Sequence, residues 1–395
     1  MHYGVLVMET KLVKLGKVAK YIKNRVDIDC SNSGEYVSTE NLQSNKFGVS
    51  FPSSSYPASG KVGTYQTGDI LISNIRPYFK KIWQANKSGT YSPDVLNIRA
   101  TSATLTQDFL AVVLSDDRFF NFMVATSKGT KMPRGDKQAI MQYEFILPKL
   151  TVQQRVVHII KTIDVKIELN QQINENLLRL MNVQWKNMFG SLNAENGHFT
   201  DLATVAAGGT PSKKQADYFG GDISWITPKD MSLTNDVFIE RGLLNITEAG
   251  LRGSSAKLLP KGTLLFSSRA PIGYLGIAAN PVTTNQGFKS LVPKRNENTE
   301  YLYFLLKNLT PYIEGIAGGS TFKEISGAGM KSVEFPLPTD NQIDAFHNIV
   351  TPMFDMVRNN EQQNKKLTDL RDLLLPRLLA GDIDLSNIET VMNNA

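Results

Sequence analysis

Apolar residues recur at alternating steps of three and four in two separated stretches, roughly 151–188 and 339–375. The first reads Val156, Ile160, Ile163, Ile167, Asn170, Asn174, Leu177 and Met181. The second reads Phe346, Val350, Met353, Val357, Asn360, Asn364, Leu367 and Arg371. This spacing lays one stripe along a helix and is the seam of a coiled coil. Between the stripes the pattern is that of short strands, at Asp69–Ile75, Thr263–Ser267, Gly273–Ala278 and Lys289–Val292, bounded by Gly, Pro, Asn and Ser. Helical patches fall at Gln107–Val124 and Glu300–Ile313, and Pro376 predicts the end of the second long helix.

The two stripes are copies. One offset of 190 residues carries Ile163 onto Met353, Asn170 onto Asn360, Asn174 onto Asn364 and Leu177 onto Leu367. The same offset carries Phe145-Ile146-Leu147-Pro148 onto Phe335-Pro336-Leu337-Pro338, and Gly129-Thr130-Lys131-Met132 onto Gly319-Ser320-Thr321-Phe322. Further upstream, with small length changes, Thr67–Leu71 matches Lys261–Leu265 and Arg76-Pro77 falls near Arg269-Ala270-Pro271. A duplicated chain must be read as a duplicated fold.

The expected architecture is α+β: two mixed α/β domains of strand-rich character, separated by two long antiparallel coiled-coil helices with an internal pseudo-two-fold. The expected boundaries are 1–150 for the first domain, 151–188 for its helix, 195–338 for the second domain and 339–375 for its helix. The segment 376–395 is expected to return toward the first domain. A helix of about 37 residues rises about 55 Å, and its stability must come from burying its seam against the other copy. Antiparallel pairing brings Asn170 opposite Asn364 and Asn174 opposite Asn360, where amides in an apolar seam penalise slipped registers.

Composition narrows the function. With 395 residues, 41% hydrophobic and 20% charged, the chain is globular and long enough for several cores. No apolar run reaches the roughly 18 residues of a membrane helix and no cleavage pattern follows the N-terminus, so a cytoplasmic protein without membrane contact is expected. One cysteine excludes a disulfide framework within the chain. The net charge of +6 leans toward anionic partners. There is no phosphate-binding loop, dinucleotide fingerprint, zinc-protease motif or nucleophile elbow. The four histidines, His2, His158, His198 and His347, are scattered, with His158 and His347 at near-equivalent points of the repeat. A duplicated scaffold without catalytic motifs reads as a recognition device.

The second copy resembles the specificity subunit of type I restriction–modification enzymes. The resemblance is carried by Gly208-Gly209-Thr210-Pro211-Ser212, Tyr218–Ile223, Trp225–Asp230, Lys261–Leu265, Ser267–Gly273 and Thr284–Phe288. Phe335–Pro338 before a long helix and Leu374–Leu379 with Gly381-Asp382-Ile383 at its end complete it. The first copy departs from this pattern: it lacks the Gly-Gly-Thr-Pro-Ser segment, and Ser92–Val95 stands where the second copy has Thr284–Gly287.

The resemblance implies two target recognition domains, each reading one half of a split site on double-stranded DNA. It implies that the helices fix the gap and dock two methyltransferase subunits, which restriction subunits can join. No cofactor is then expected on this chain; S-adenosylmethionine, ATP and Mg belong to the partner subunits. A protein-binding adaptor and a solitary or fused nuclease with an unrecognised site stay as alternatives.

Candidate DNA contacts are the cations, hydroxyls and amides of loops at strand ends. In the first domain these are Arg76, Tyr78, Lys80 and Lys81, then Lys128, Thr130, Lys131 and Arg134. In the second they are Thr210, Ser212, Lys213, Lys214, Ser268, Arg269, Asn285, Gln286, Thr321 and Lys323. Arg269 is expected to lie in nearly the same place as Arg76, Trp225 and Tyr218 to pack in the domain, and Asn285 either to pair with adenine or to cap a turn.

Overall fold

A computed structural model describes residues 11–30, 32–53, 55–319, 323–383 and 385. The chain forms two compact units: residues 1–166 with 366–395, and residues 167–365.

In the first unit, β1 (Ile70–Ser73) pairs antiparallel with β2 (Val95–Ala100) at the centre of a four-stranded sheet, flanked by Ala19–Tyr21 and Ile82–Gln84. All four residues of β1 are buried, as expected of an interior strand. A second four-stranded sheet is built from Arg25–Asp27, Lys61–Tyr65, Gly89–Tyr91 and Tyr36–Val37. Helices Gln107–Ser115 and Asp117–Ala125 are each capped by a side chain accepting a backbone N–H, Thr106 for the first and Asp116 for the second. Their Phe109, Phe119 and Phe120 close the core with Ile70, Ile72 and Ile98. The start of the first long helix α1 (Leu150–Phe189) contributes Val156 and Ile160 to this core.

The second unit repeats the plan. Strands β3 (Leu264–Ser268), β4 (Ile272–Ala278) and β5 (Lys289–Pro293) are central in a five-stranded sheet whose edges are Ala203–Ala207 and Phe238–Ile239. Its core joins Phe266, Leu291, Tyr301 and Phe304 to Trp185 and Phe189 from the end of α1. Phe346, Val350 and Phe354 join it from the second long helix, α2 (Asp340–Ala380).

Each unit therefore holds part of both long helices. Leu375, Leu378, Leu379 and Leu385 pack in the core of the first unit, where Arg118 also donates to the Pro376 carbonyl at 3.5 Å. Pro376 does not end the helix as expected: α2 continues to Ala380. Burial of Leu378 and Leu379 in that core stabilises the turn beyond the proline and offsets its missing N–H. Within the second unit the helices run antiparallel, with Asn170 donating to Asn364 and Asn360 to Asn174, each at 2.8 Å.

Candidate nucleic-acid interface

In both units three chain segments cross at the end of the central buried strand, held by the same backbone bonds. In the first, Asn74 N–H donates to Asp94 O at 2.8 Å and Gly135 N–H to Asn74 O at 3.0 Å. In the second, Ser268 N–H donates to Gly287 O at 2.7 Å and Ile325 N–H to Ser268 O at 3.1 Å. Isolated bridges join Ile75 to Arg134 and Lys128 to Arg134, and likewise Arg269 to Glu324 and Gly318 to Glu324. These bonds fix the correspondence of the copies better than sequence does. Asp94 corresponds to Gly287, Arg134 to Glu324, and Ile75 to Arg269.

Two expectations are corrected by this register. Arg76 corresponds to Ala270 and not to Arg269; both precede a proline and both hold positive φ, 50° and 58°. The turn Ser92–Val95 corresponds to Asn285–Phe288, one residue later than the expected Thr284–Gly287. Val95 N–H donates to Ser92 O and Phe288 N–H to Asn285 O, while the Ser92 hydroxyl and the Asn285 amide oxygen each accept the N–H two residues on. Asn285 thus caps its turn.

The candidate cations of the first unit divide sharply. Lys80 pairs with Asp117 at 2.7 Å, and Lys46 reaches the same carboxylate at 2.8 Å. Burial opposes ionisation of Asp117, but the hydrogen bonds from Lys46 and Lys80 outweigh it and hold its carboxyl below the usual range. Lys81 donates to the Thr39 carbonyl at 2.6 Å, and burial lowers its pKa. Lys128 pairs with Asp136, and Arg134 with Asp94 at 2.6 Å. Arg76, Tyr78, Thr130 and Lys131 are exposed, and among the described residues Arg76 and Lys131 have no ion pair.

In the second unit Ser212, Lys213, Lys214, Gln286 and Lys323 are exposed, and Thr210 donates to the Gln286 amide oxygen. Gly209 before them is required by close approach: a side chain there would meet the Ala256 backbone nitrogen at 2.2 Å. Trp225 packs inside and donates to Gly209 O at 3.0 Å. Arg269 donates to Glu324 at 3.2 Å, and Lys289 reaches the other oxygen of that carboxylate at 3.3 Å. Ser268 was expected to contact DNA, but it is fully buried beneath Lys289, whose ammonium lies 3.3 Å from its hydroxyl. The strand is covered on both faces and all of Leu264–Ser268 is buried, so Ser267 and Ser268 both lie inside. Thr321 lies outside the described residues. Beside the crossing opens a cavity of about 460 Å³ lined by Lys229, Arg269, Ala270, Tyr274, Asn285 and Gly287 among others.

Sequence reasoning missed Asp94, Glu324, Lys289, Lys229 and Tyr274. The reversal of Arg134 to Glu324 at the common offset was the available signal for the first two. Among the described residues no group of three or more His, Cys, Asp or Glu is placed to hold a metal, and no helix is long and apolar enough to cross a membrane. His347 instead contacts Glu300 at 2.9 Å.

The duplicated α+β scaffold presents loop cations and amides at two corresponding crossings. Residues 8–179 and 193–370 each match the type I restriction modification DNA specificity domain, so the chain belongs to that family. It is a DNA-recognition subunit and not the catalyst of its system. It is 46% identical over 196 residues to the type I restriction enzyme MjaIX specificity subunit of Methanocaldococcus jannaschii, covering 49% of this chain and 45% of that protein. It is 24% identical to the HindI specificity subunit of Haemophilus influenzae over 94% of this chain and 99% of that one. The crystal structure of the type I S subunit from M. genitalium shares the fold, with a TM-score of 0.52 at 14% identity, covering 96% of this chain and 98% of that one.

Proposed function

We propose that each unit reads one half of a bipartite DNA site, that the continuous helices α1 and α2 set the gap between the halves, and that methyltransferase subunits dock on those helices. The observation that carries this reading is the duplicated crossing, the same backbone frame bearing different side chains. One frame with two sets of contacts suits two unlike half-sites, since bases are read by side chains while the frame positions them. Half-sites about one helical turn apart, ~34–36 Å, are within the span of helices of this length.

The docking proposal rests on a second repeat. Leu180 and Val183 on α1 are exposed apolar residues, and the 190-residue offset carries them onto exposed Leu370 and Leu373 on α2. Two like apolar pairs at one offset suit two copies of one partner. S-adenosylmethionine, ATP and Mg would be bound by such partners, which supply the chemistry.

Co-expression with the cognate methyltransferase subunit and mapping of methylated adenines across a genome tests the reading. The expected result is two short constant blocks around a fixed gap. A continuous motif would overturn independent reading by the two units; an assembled complex without methylation would favour a protein-binding adaptor.

A further inference from the structure

We propose that the residue before the proline of each crossing is a base-reading position, filled in the first unit by Arg76 as a guanine reader. In the second unit Ala270 leaves it without a reading side chain. This rests on the proposed reading of one half-site by each unit.

The backbone gives the first reason. Both residues hold positive φ, a region that a residue with a side chain enters at a cost, and both are exposed, so no packed side chain accounts for it. The conformation is pinned from both sides at Arg76: its N–H donates to Pro133 O at 2.8 Å and its carbonyl accepts from Phe79 N–H at 3.0 Å. A mount this rigid projects a side chain in a set direction.

Charge gives the second reason. Lys80, Lys81, Lys128 and Arg134 are each committed to a partner within the unit, and Asp94, the carboxylate at the same crossing, is held by Arg134. Arg76 is left as a guanidinium without an ion pair among the described residues. Its planar fork matches the O6 and N7 acceptors of guanine in the major groove, which a lysine cannot engage in the same way.

The third reason is the difference between the copies. The framework bonds are the same, yet Arg76, Asp94 and Arg134 are replaced by Ala270, Gly287 and Glu324. Residues that merely held the crossing together would have no reason to change with the frame kept. In the second unit Ala270 and Gly287 border the cavity that Lys229 and Tyr274 line, so the contacts there are made by other groups.

The test compares methylation patterns of the reconstituted complex carrying the parent chain, Arg76→Ala, Arg76→Lys and Ala270→Arg. All three substitutions are at exposed positions, and complex assembly checks folding. Arg76→Ala and Arg76→Lys are expected to relax the preference for guanine at one position of one half-site roughly ten-fold or more, leaving the other half-site unchanged. Ala270→Arg is expected to impose a new guanine preference in the other half-site. A uniform fall in methylation with Arg76→Ala and recovery with Arg76→Lys would make Arg76 a phosphate contact and overturn the proposal, as would an unchanged pattern. A parent chain without a split motif would instead overturn the reading on which the proposal rests.

Discussion

Asn170 on α1 and Asn364 on α2 face each other in the second unit, the amide nitrogen of the first 2.8 Å from the amide oxygen of the second. Asn360 and Asn174 repeat the contact at 2.8 Å. The pairs sit between the apolar seam residues Ile167, Leu177, Val357 and Leu367, and Asn170, which also donates to Gln363 at 2.8 Å, is fully buried. Replacing one member strands the other: Asn170→Leu is expected to lose about 1–3 kcal/mol of stability. Replacing all four by Leu removes both partners together and is expected to raise the melting temperature while loosening the register. Thermal melts of the full chain check both, and a quadruple variant without a gain would count against a register role.

Glu361 on α2 grips the second domain. Its two carboxylate oxygens accept the backbone N–H groups of Val237 at 2.7 Å and Phe238 at 3.1 Å. Burial, reinforced by Asp236, pushes its pKa up to about 8 against the hydrogen bonds and Arg358, which favour the charged form. A carboxyl so raised keeps its proton in the folded chain after the unfolded chain has lost its own. Stability is then expected to fall as the pH rises from the ordinary glutamate value of 4.5 through about 8. Urea midpoints measured across that range should show the fall, and Glu361→Gln should flatten it.

Lys131 and Lys80 differ in what they have left to give. Lys131 is exposed and has no ion pair among the described residues, whereas Lys80 is bound to Asp117. Lys131→Ala is expected to weaken DNA binding by the complex on all sequences and to reduce the slope of log affinity against log salt by about 0.9. Lys80→Ala is expected to leave that slope unchanged and to cost up to about 1 kcal/mol of stability, the range of a partly exposed pair. Binding titrations over a range of salt concentrations distinguish them.

The exposed pairs Leu180/Val183 and Leu370/Leu373 predict a stoichiometry. Introducing glutamate at both residues of one pair is expected to reduce the number of bound methyltransferase subunits from two to one, and at both pairs to none. Native mass spectrometry of the assembled complex reads this directly. Two subunits still bound to the four-fold variant would place the docking surface elsewhere.

The long helices, the duplication and the central strands were legible in the sequence because their signals are local or repeat at one offset. Helical spacing predicted 151–188 and 339–375, and the helices run Leu150–Phe189 and Asp340–Ala380. Strand periodicity predicted Thr263–Ser267 and Gly273–Ala278 to within a residue of their observed bounds. Even the facing of Asn170 and Asn364 followed from the order of polar residues in an antiparallel seam.

The candidate interface was legible only as a set of loops. Which cations remain available there depends on partners far along the chain: Lys80 meets Asp117, 37 residues away, and Arg134 meets Asp94, 40 residues away. Ser268 lies in a strand buried along its whole length, and the backbone bonds of the crossing set Arg76 against Ala270 rather than Arg269. By itself the sequence determined the elements and their repetition, because hydrophobic period and chain offset are properties of neighbours in the chain. The tertiary structure alone decided which side chains are spent on one another and which face outward, because pairing and burial are properties of neighbours in space.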